Sequence, residues 1–158
     1  MTVTVLYTDS DKVRAAAGID DADISDGDLT ASSVAEELTV DLNQWCPTHA
    51  AIKAAGIIET PAPSAEEANR WLLLQLYCQF MGAAIVAGQA YRILQKITDG
   101  KNQQARYNSL HWDEVQRSLY EKAAKYRRLL EEAMGTAGVA VNYPVMSAST
   151  PTFDPITG

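Results

Sequence analysis

Residues 64–98 read SAEEANRWLLLQLYCQFMGAAIVAGQAYRILQKIT, and this stretch decides the fold. It opens on Ser64 with Glu67 three residues later, the spacing at which a hydroxyl and a carboxylate cap the first turn of a helix reciprocally. Asp99-Gly100 supplies the stop, so one long helix is predicted from about Ser64 to Thr98. Trp71 to Gly88 holds no charged residue and is apolar nearly all the way round. Such a helix needs neighbours on several sides, in its own bundle or in a ring of copies. It also reaches the length of a membrane span. However, Gln75, Gln79, Gln89 and Gly82 fall near one helical face, and that stripe would sit badly in lipid. A buried central helix is therefore expected, and no membrane.

Downstream, Lys101 to Tyr107 reads as a polar connection. From Ser109 to Met134 a helix is predicted with Trp112, Val115, Leu119, Lys122, Tyr126, Leu129 or Leu130, and Ala133 on one side. Its other face is charged: Glu114, Arg117, Glu121, Lys125, Arg128 and Glu132. Glu121 with Lys125 and Glu114 with Arg117 stand at favourable helical spacing, and Gly135 closes the element.

Upstream, Val3 to Tyr7 alternates like a short strand or an extended arm. Asp9 or Ser10 can cap a first short helix, Asp11 to Ala17, with Gly18 at the left-handed C-cap. A second helix is predicted from about Asp26 to Trp45, with Ala31, Val34, Ala35, Leu38, Leu42 and Trp45 as its apolar face and Pro47 as its stop. Ala50 to Ile58 adds one or two turns before the Pro61-Ala62-Pro63 break.

These elements predict an all-α chain: an up-and-down four-helix bundle with long central helices, a short N-terminal helix and extended arms at both ends. Residues 1–135 form the helical domain. Residues 136–158 form a tail with one charged side chain, Asp154, three prolines and no helical period. Apolar residues at 47% and charged residues at 21% suit one globular domain of 158 residues. Cys46 and Cys78 stand far apart, which is neither a disulfide framework nor a zinc pattern, and two buried thiols in a reducing compartment are expected. Met1 to Val5 lacks the basic and apolar regions of a signal peptide.

Chemistry-bearing patterns are scarce. Asp20, Asp21, Asp23, Asp26 and Asp28 suggest a calcium loop, which needs Gly at its sixth position and Glu at its twelfth. Counting from Asp21 gives Asp26 and Ser32, and from Asp23 gives Asp28 and Val34, so neither register fits. A di-iron bundle needs Glu-x-x-His, but His49 and His111 are preceded at that spacing by Cys46 and Asn108. Cys46 with His49 is a nucleophile and base three residues apart, more simply read as a packed thiol beside a capping or exposed imidazole. The phosphate-loop, GxSxG and HExxH patterns do not occur. A chain without catalytic function and without a cofactor is expected.

Two groups of residues point to partners. Lys122, Lys125, Arg127 and Arg128 form a basic cluster that could meet an acidic partner or DNA phosphates, although interleaved glutamates make a solvated helix face the simpler reading. The tail carries Val139, Val141, Tyr143, Val145, Phe153, Pro155 and Ile156, apolar residues in a segment with no core of its own. Val139 to Tyr143 alternates like a strand that could add to a sheet edge, and Phe153 could anchor in a pocket. The formal net charge of −7 opposes gripping nucleic acid.

Tyr7-Thr8-Asp9, Val13-Arg14, Gly18-Ile19, the acidic loop and a helix ending in Trp45 resemble the opening of head–tail connector (adaptor) proteins of tailed viruses. The element order over residues 7 to 135 is similar to theirs, and Phe153-Asp154-Pro155-Ile156-Thr157-Gly158 resembles the short apolar tails of some members. The third helix carries less charge, and the tail is longer, than those proteins lead one to expect. The resemblance implies a dodecameric ring beneath the portal protein, extending the DNA channel and offering a platform to the next neck or tail completion protein. It implies a chain made in the host cytoplasm and resident at the head–tail junction of the virion. A cellular helical regulator or adaptor whose tail binds another protein is the alternative of a different class.

Overall fold

The computed structural model describes residues 4–19, 24–30, 34–94 and 109–135. They are mostly helical, with one two-stranded sheet. The strands β1 (Thr4–Val5) and β2 (Thr8–Asp9) pair antiparallel, Thr4 opposite Asp9 and Val5 opposite Thr8. Their turn places Leu6 at φ 55°, a left-handed conformation that disfavours a bulky side chain. Leu6 is held there by packing against both halves of the core.

Helix α1 (Ser10–Ala17) follows directly and closes at Gly18, φ 75°, whose N–H bonds back to the last turn. Asp9 occupies the N-cap position without making a side-chain cap bond, so its expected capping role is absent. The second predicted helix is described as two pieces, α2 (Asp26–Thr30) and α3 (Val34–Trp45). Val34, Leu38 and Leu42 are buried along α3, the stripe its sequence predicted. Helix α4 (His49–Gly56) begins one residue before the predicted turns.

The long element is α5 (Ala65–Leu94, 30 residues). Its capping box forms as its sequence implies: Glu67 accepts from the Ser64 N–H at 2.8 Å and the Ser64 hydroxyl at 2.7 Å, and the Glu67 N–H donates to Ser64 Oγ at 3.2 Å. The last predicted turn, through Thr98, lies outside the described residues. Helix α6 (Ser109–Ala133, 25 residues) runs antiparallel along α5. Arg70 Nε near the start of α5 donates to Ala133 O at 2.9 Å, and Gln116 Nε2 donates to Ala84 O at 3.2 Å.

The hairpin, α1, α3 and α4 also pack on α5, which makes it the central helix. One half of the core gathers Val5, Val13, Leu29, Val34, Leu38, Ala83 to Ala87, Trp112 and Leu119. The other gathers Leu42, Cys46, Leu74, Tyr77, Cys78, Ala123 and Leu130. Phe80 and Met81 touch both. Ala65–Gln89 is long and apolar enough to cross a membrane by length and composition alone. In the fold its consecutive residues Ala83 to Ala87 are all buried by the rest of this one chain. That stretch is covered without a second copy, whereas Leu72 nearer the start of the helix stays exposed.

Candidate functional site

The basic cluster on α6 divides once the helix is packed. Trp112, Leu119, Ala123 and Leu130 face the core, and Arg127 stands four residues after Ala123 and three before Leu130. It therefore turns inward and is only 9% exposed. Its guanidinium lies 4.7 Å from the centre of the Trp45 ring, and Nε donates to Glu131 at 2.8 Å. Arg127 is spent on holding α6 against α3, which corrects its expected place in a surface contact. That position was legible in principle, because its spacing from Ala123 and Leu130 is the core spacing.

Lys122, Lys125 and Arg128 remain on the surface. Lys122 Nζ sits 5.5 Å from the Phe80 ring, and Lys125 Nζ sits 5.9 Å from the ring of its neighbour Tyr126. Arg128 faces Glu132 at 3.7 Å, with both side chains more than half exposed, a pair worth little in water. Among the described residues of α6, Arg127 pairs with Glu131 and Arg128 with Glu132. Lys122 was expected among the apolar face but is exposed, while Ala123 takes the buried position.

Cys46 and Cys78 are both buried with free thiols. Burial pushes each thiol's pKa up, so both hold their protons at neutral pH and neither is a ready nucleophile. Both ring nitrogens of His49 have oxygen partners. Its Nδ1 lies 2.5 Å from the Tyr7 hydroxyl and its Nε2 lies 3.0 Å from Asn43 Oδ1. With the proton on Nε2 facing the amide oxygen, Nδ1 accepts from Tyr7. The contact ties the N-terminal hairpin to α4 and to the end of α3. Tyr7 also meets Trp71 edge-on at 5.6 Å, with Lys53 Nζ 5.5 Å from its ring centre.

A second polar link joins α3 to α5. The Asp41 carboxylate accepts from Trp45 Nε1 at 2.9 Å and from the Tyr77 hydroxyl. Trp45 and Tyr77 pack edge to face at 4.9 Å. Burial, then the Asp41 contact, raises the Tyr77 pKa, so Tyr77 stays a neutral donor. A third link centres on Arg14, itself buried. Arg14 donates to Ile24 O at 2.9 Å, to Asp11 at 3.2 Å and to Asp26 at 2.5 Å, pinning the far end of the acidic loop to α1. Among the described residues no cluster of three or more His, Cys, Asp or Glu is placed to hold a metal ion. Asp20, Asp21 and Asp23 of that loop lie outside them.

The surface has two features suited to contact. Val40, Ile57, Ile58, Leu72 and Tyr120 are large apolar side chains left exposed. A groove lined by Ala51, Ile52, Ala55, Arg70 and Met134 opens where α4, α5 and the end of α6 meet. The tail residues Val139, Val141, Tyr143, Val145, Phe153, Pro155 and Ile156 lie outside the described residues, as does His111 apart from its place in α6. No protein family, no curated protein and no solved structure matches this chain.

Proposed function

We propose that the chain is a structural subunit of a viral head–tail connector, an up-and-down helical bundle that forms a ring beneath the portal and carries no catalysis of its own. The observation that carries this reading is the element order. The described elements run hairpin, α1, α2, α3, α4, the long central α5 and the antiparallel α6, and a small helical chain built round a long central helix is what supports the reading.

The polar side chains Asp41, His49, Tyr77 and Arg127 are engaged in contacts within the fold. Because Ala83 to Ala87 of α5 are covered within their own chain, a ring needs a contact surface outside that stretch. The exposed Val40, Ile57, Ile58, Leu72 and Tyr120 are candidates for it. The terminal Phe153, Pro155 and Ile156 would reach the portal or the next neck protein. The net charge of −7 suits a wall past which DNA slides without being held. No membrane and no cofactor enter this reading.

The test is the mass of the purified protein, alone and mixed with a portal ring. A ring of copies, or co-migration with the portal that Phe153→Ala weakens, supports the proposal. A protein that stays monomeric and never joins the portal overturns it. Tight binding to one defined DNA sequence near physiological salt would favour a cellular regulator instead.

A further inference from the structure

Two flanks of α6 carry opposite charge beside apolar side chains. On one flank α3 packs, with its Trp45 ring 4.7 Å from the Arg127 guanidinium. The outward side of α3 presents Glu36, Glu37 and Val40, all exposed, Val40 at 58%. Burial, then the Glu37 carboxylate, raises the pKa of Tyr120 on α6, so the exposed Tyr120 ring adjoins the same stripe.

Lys122 precedes Arg127 by five residues, which turns it roughly 140° round the helix to the other flank. There Phe80 of α5 stacks on Tyr126 at 5.4 Å, and Lys122 Nζ and Lys125 Nζ lie 5.5 Å and 5.9 Å from those two rings. Leu76 and Leu72 continue from Phe80 in four-residue steps along α5, and Leu72 is 52% exposed. This flank is an apolar row with a cationic edge, and the first is an apolar stripe with an anionic one. We propose that the two flanks are the halves of one contact between copies of this chain. The Glu36, Glu37 and Val40 stripe of one copy seats on the Leu72 to Phe80 row and the Lys122–Lys125 edge of the next.

Charge selects this occupant. A chain of net charge −7 repels its own copies wherever acidic surfaces meet. Glu36 and Glu37 against Lys122 and Lys125 attract, whereas either flank turned on its own likeness repels. A DNA duplex would meet two lysines beside an apolar row, which offers phosphates little. Each copy carries one half of each kind on a different side, the head-to-tail arrangement that closes into a ring or runs on as a fibre. The inference rests on the connector reading, for which it supplies the contact between subunits.

Sedimentation velocity of the full chain over a concentration series tests it. Wild-type copies should associate, and several-fold more weakly at high salt than at low. Lys122→Glu with Lys125→Glu, and separately Glu36→Lys with Glu37→Lys, should each weaken association about tenfold or more while keeping the helical circular dichroism. An equimolar mixture of the two variants should associate again, because every contact in an alternating array then joins opposite charges. Variants that associate like wild type, or a mixture that does not recover, would overturn the inference and leave a connector ring standing. Salt-independent association would overturn it too, and that measurement needs no variant to fold. A wild-type chain that is monomeric alone yet joins the portal ring would sink the inference but not the connector reading, and one that does neither sinks both. Lysine-dependent binding of a short DNA duplex by a chain that does not self-associate would give the edge to phosphates instead.

Discussion

Replacing Gly82 by Ala should stabilise the protein, while the same change at Gly56 should destabilise it. Gly82 is in the middle of α5, and a methyl built there would lie 3.5 Å from Leu38, 3.6 Å from Val13 and 3.7 Å from Val34. Those are ordinary contact distances, so the methyl fills space without displacing anything. Removing a mid-helix glycine contributes roughly 0.5–1 kcal/mol, and burying one methyl contributes about 0.8 kcal/mol more. For a chain of this length the sum of ~1–2 kcal/mol corresponds to a rise in melting temperature of roughly 2–6 °C.

At Gly56 the added methyl would lie 2.3 Å from Trp71 Cβ and 2.7 Å from its Cγ. Cβ is fixed to the α5 backbone and cannot swing aside, so α4 must shift against α5. Overpacking of that kind costs about 1–3 kcal/mol, which outweighs the small propensity gain at a helix end. Gly88 is the internal control. Its methyl would meet the Gln116 amide nitrogen at 2.3 Å, but that side chain can turn away at the cost of one hydrogen bond to Ala84. The lost bond of about 1 kcal/mol and the helix gain of similar size should nearly cancel. Thermal unfolding followed by far-UV circular dichroism, with urea titration alongside, reads all three. A lower melting temperature for Gly82→Ala, or an unchanged one for Gly56→Ala, would refute the packing of α3 and α4 on α5.

Leu38→Ala and Leu119→Ala, both at buried positions, should each cost about 2–5 kcal/mol by urea unfolding, and losses under about 1 kcal/mol at both would mean the buried faces are misassigned. The hydrogen bond from Arg14 holds the Asp26 carboxyl below the usual aspartate range, so its stabilising effect is present above the unfolded pKa near 3.9 and disappears as pH falls through the lower folded value. Arg14→Gln should remove that part of the acid dependence, and an identical pH profile for both proteins would contradict the contact. Cys46 and Cys78, whose burial keeps them protonated, should react with an aromatic disulfide reagent near pH 8 only after denaturant is added. Rapid labelling of the native protein would show that the core around Leu42 and Leu74 opens readily.

The elements whose signals are local were legible from the chain alone. Ser64 and Glu67 mark the start of α5 because capping is a contact three residues long, and it forms as read. Gly18 and Gly135 mark helix ends because a left-handed backbone favours glycine, and both have positive φ. The Val34, Leu38 and Leu42 stripe was equally plain, since periodicity reports which side of one helix is dry. The contacts between elements were not readable in this way. Tyr7 meets His49 across 42 residues, and Asp41 meets Tyr77 across 36, through pairings that exist only once particular helices are neighbours. Arg127 looked like a surface cation because charge suggests solvent, yet Trp45 and Glu131 give it a planar face and a carboxylate inside. The apolar middle of α5 demanded cover but could not name its source. Burial depends on area removed from water and not on which chain removes it, so only the tertiary arrangement could assign that cover to the hairpin, α1, α3, α4 and α6 of the same molecule.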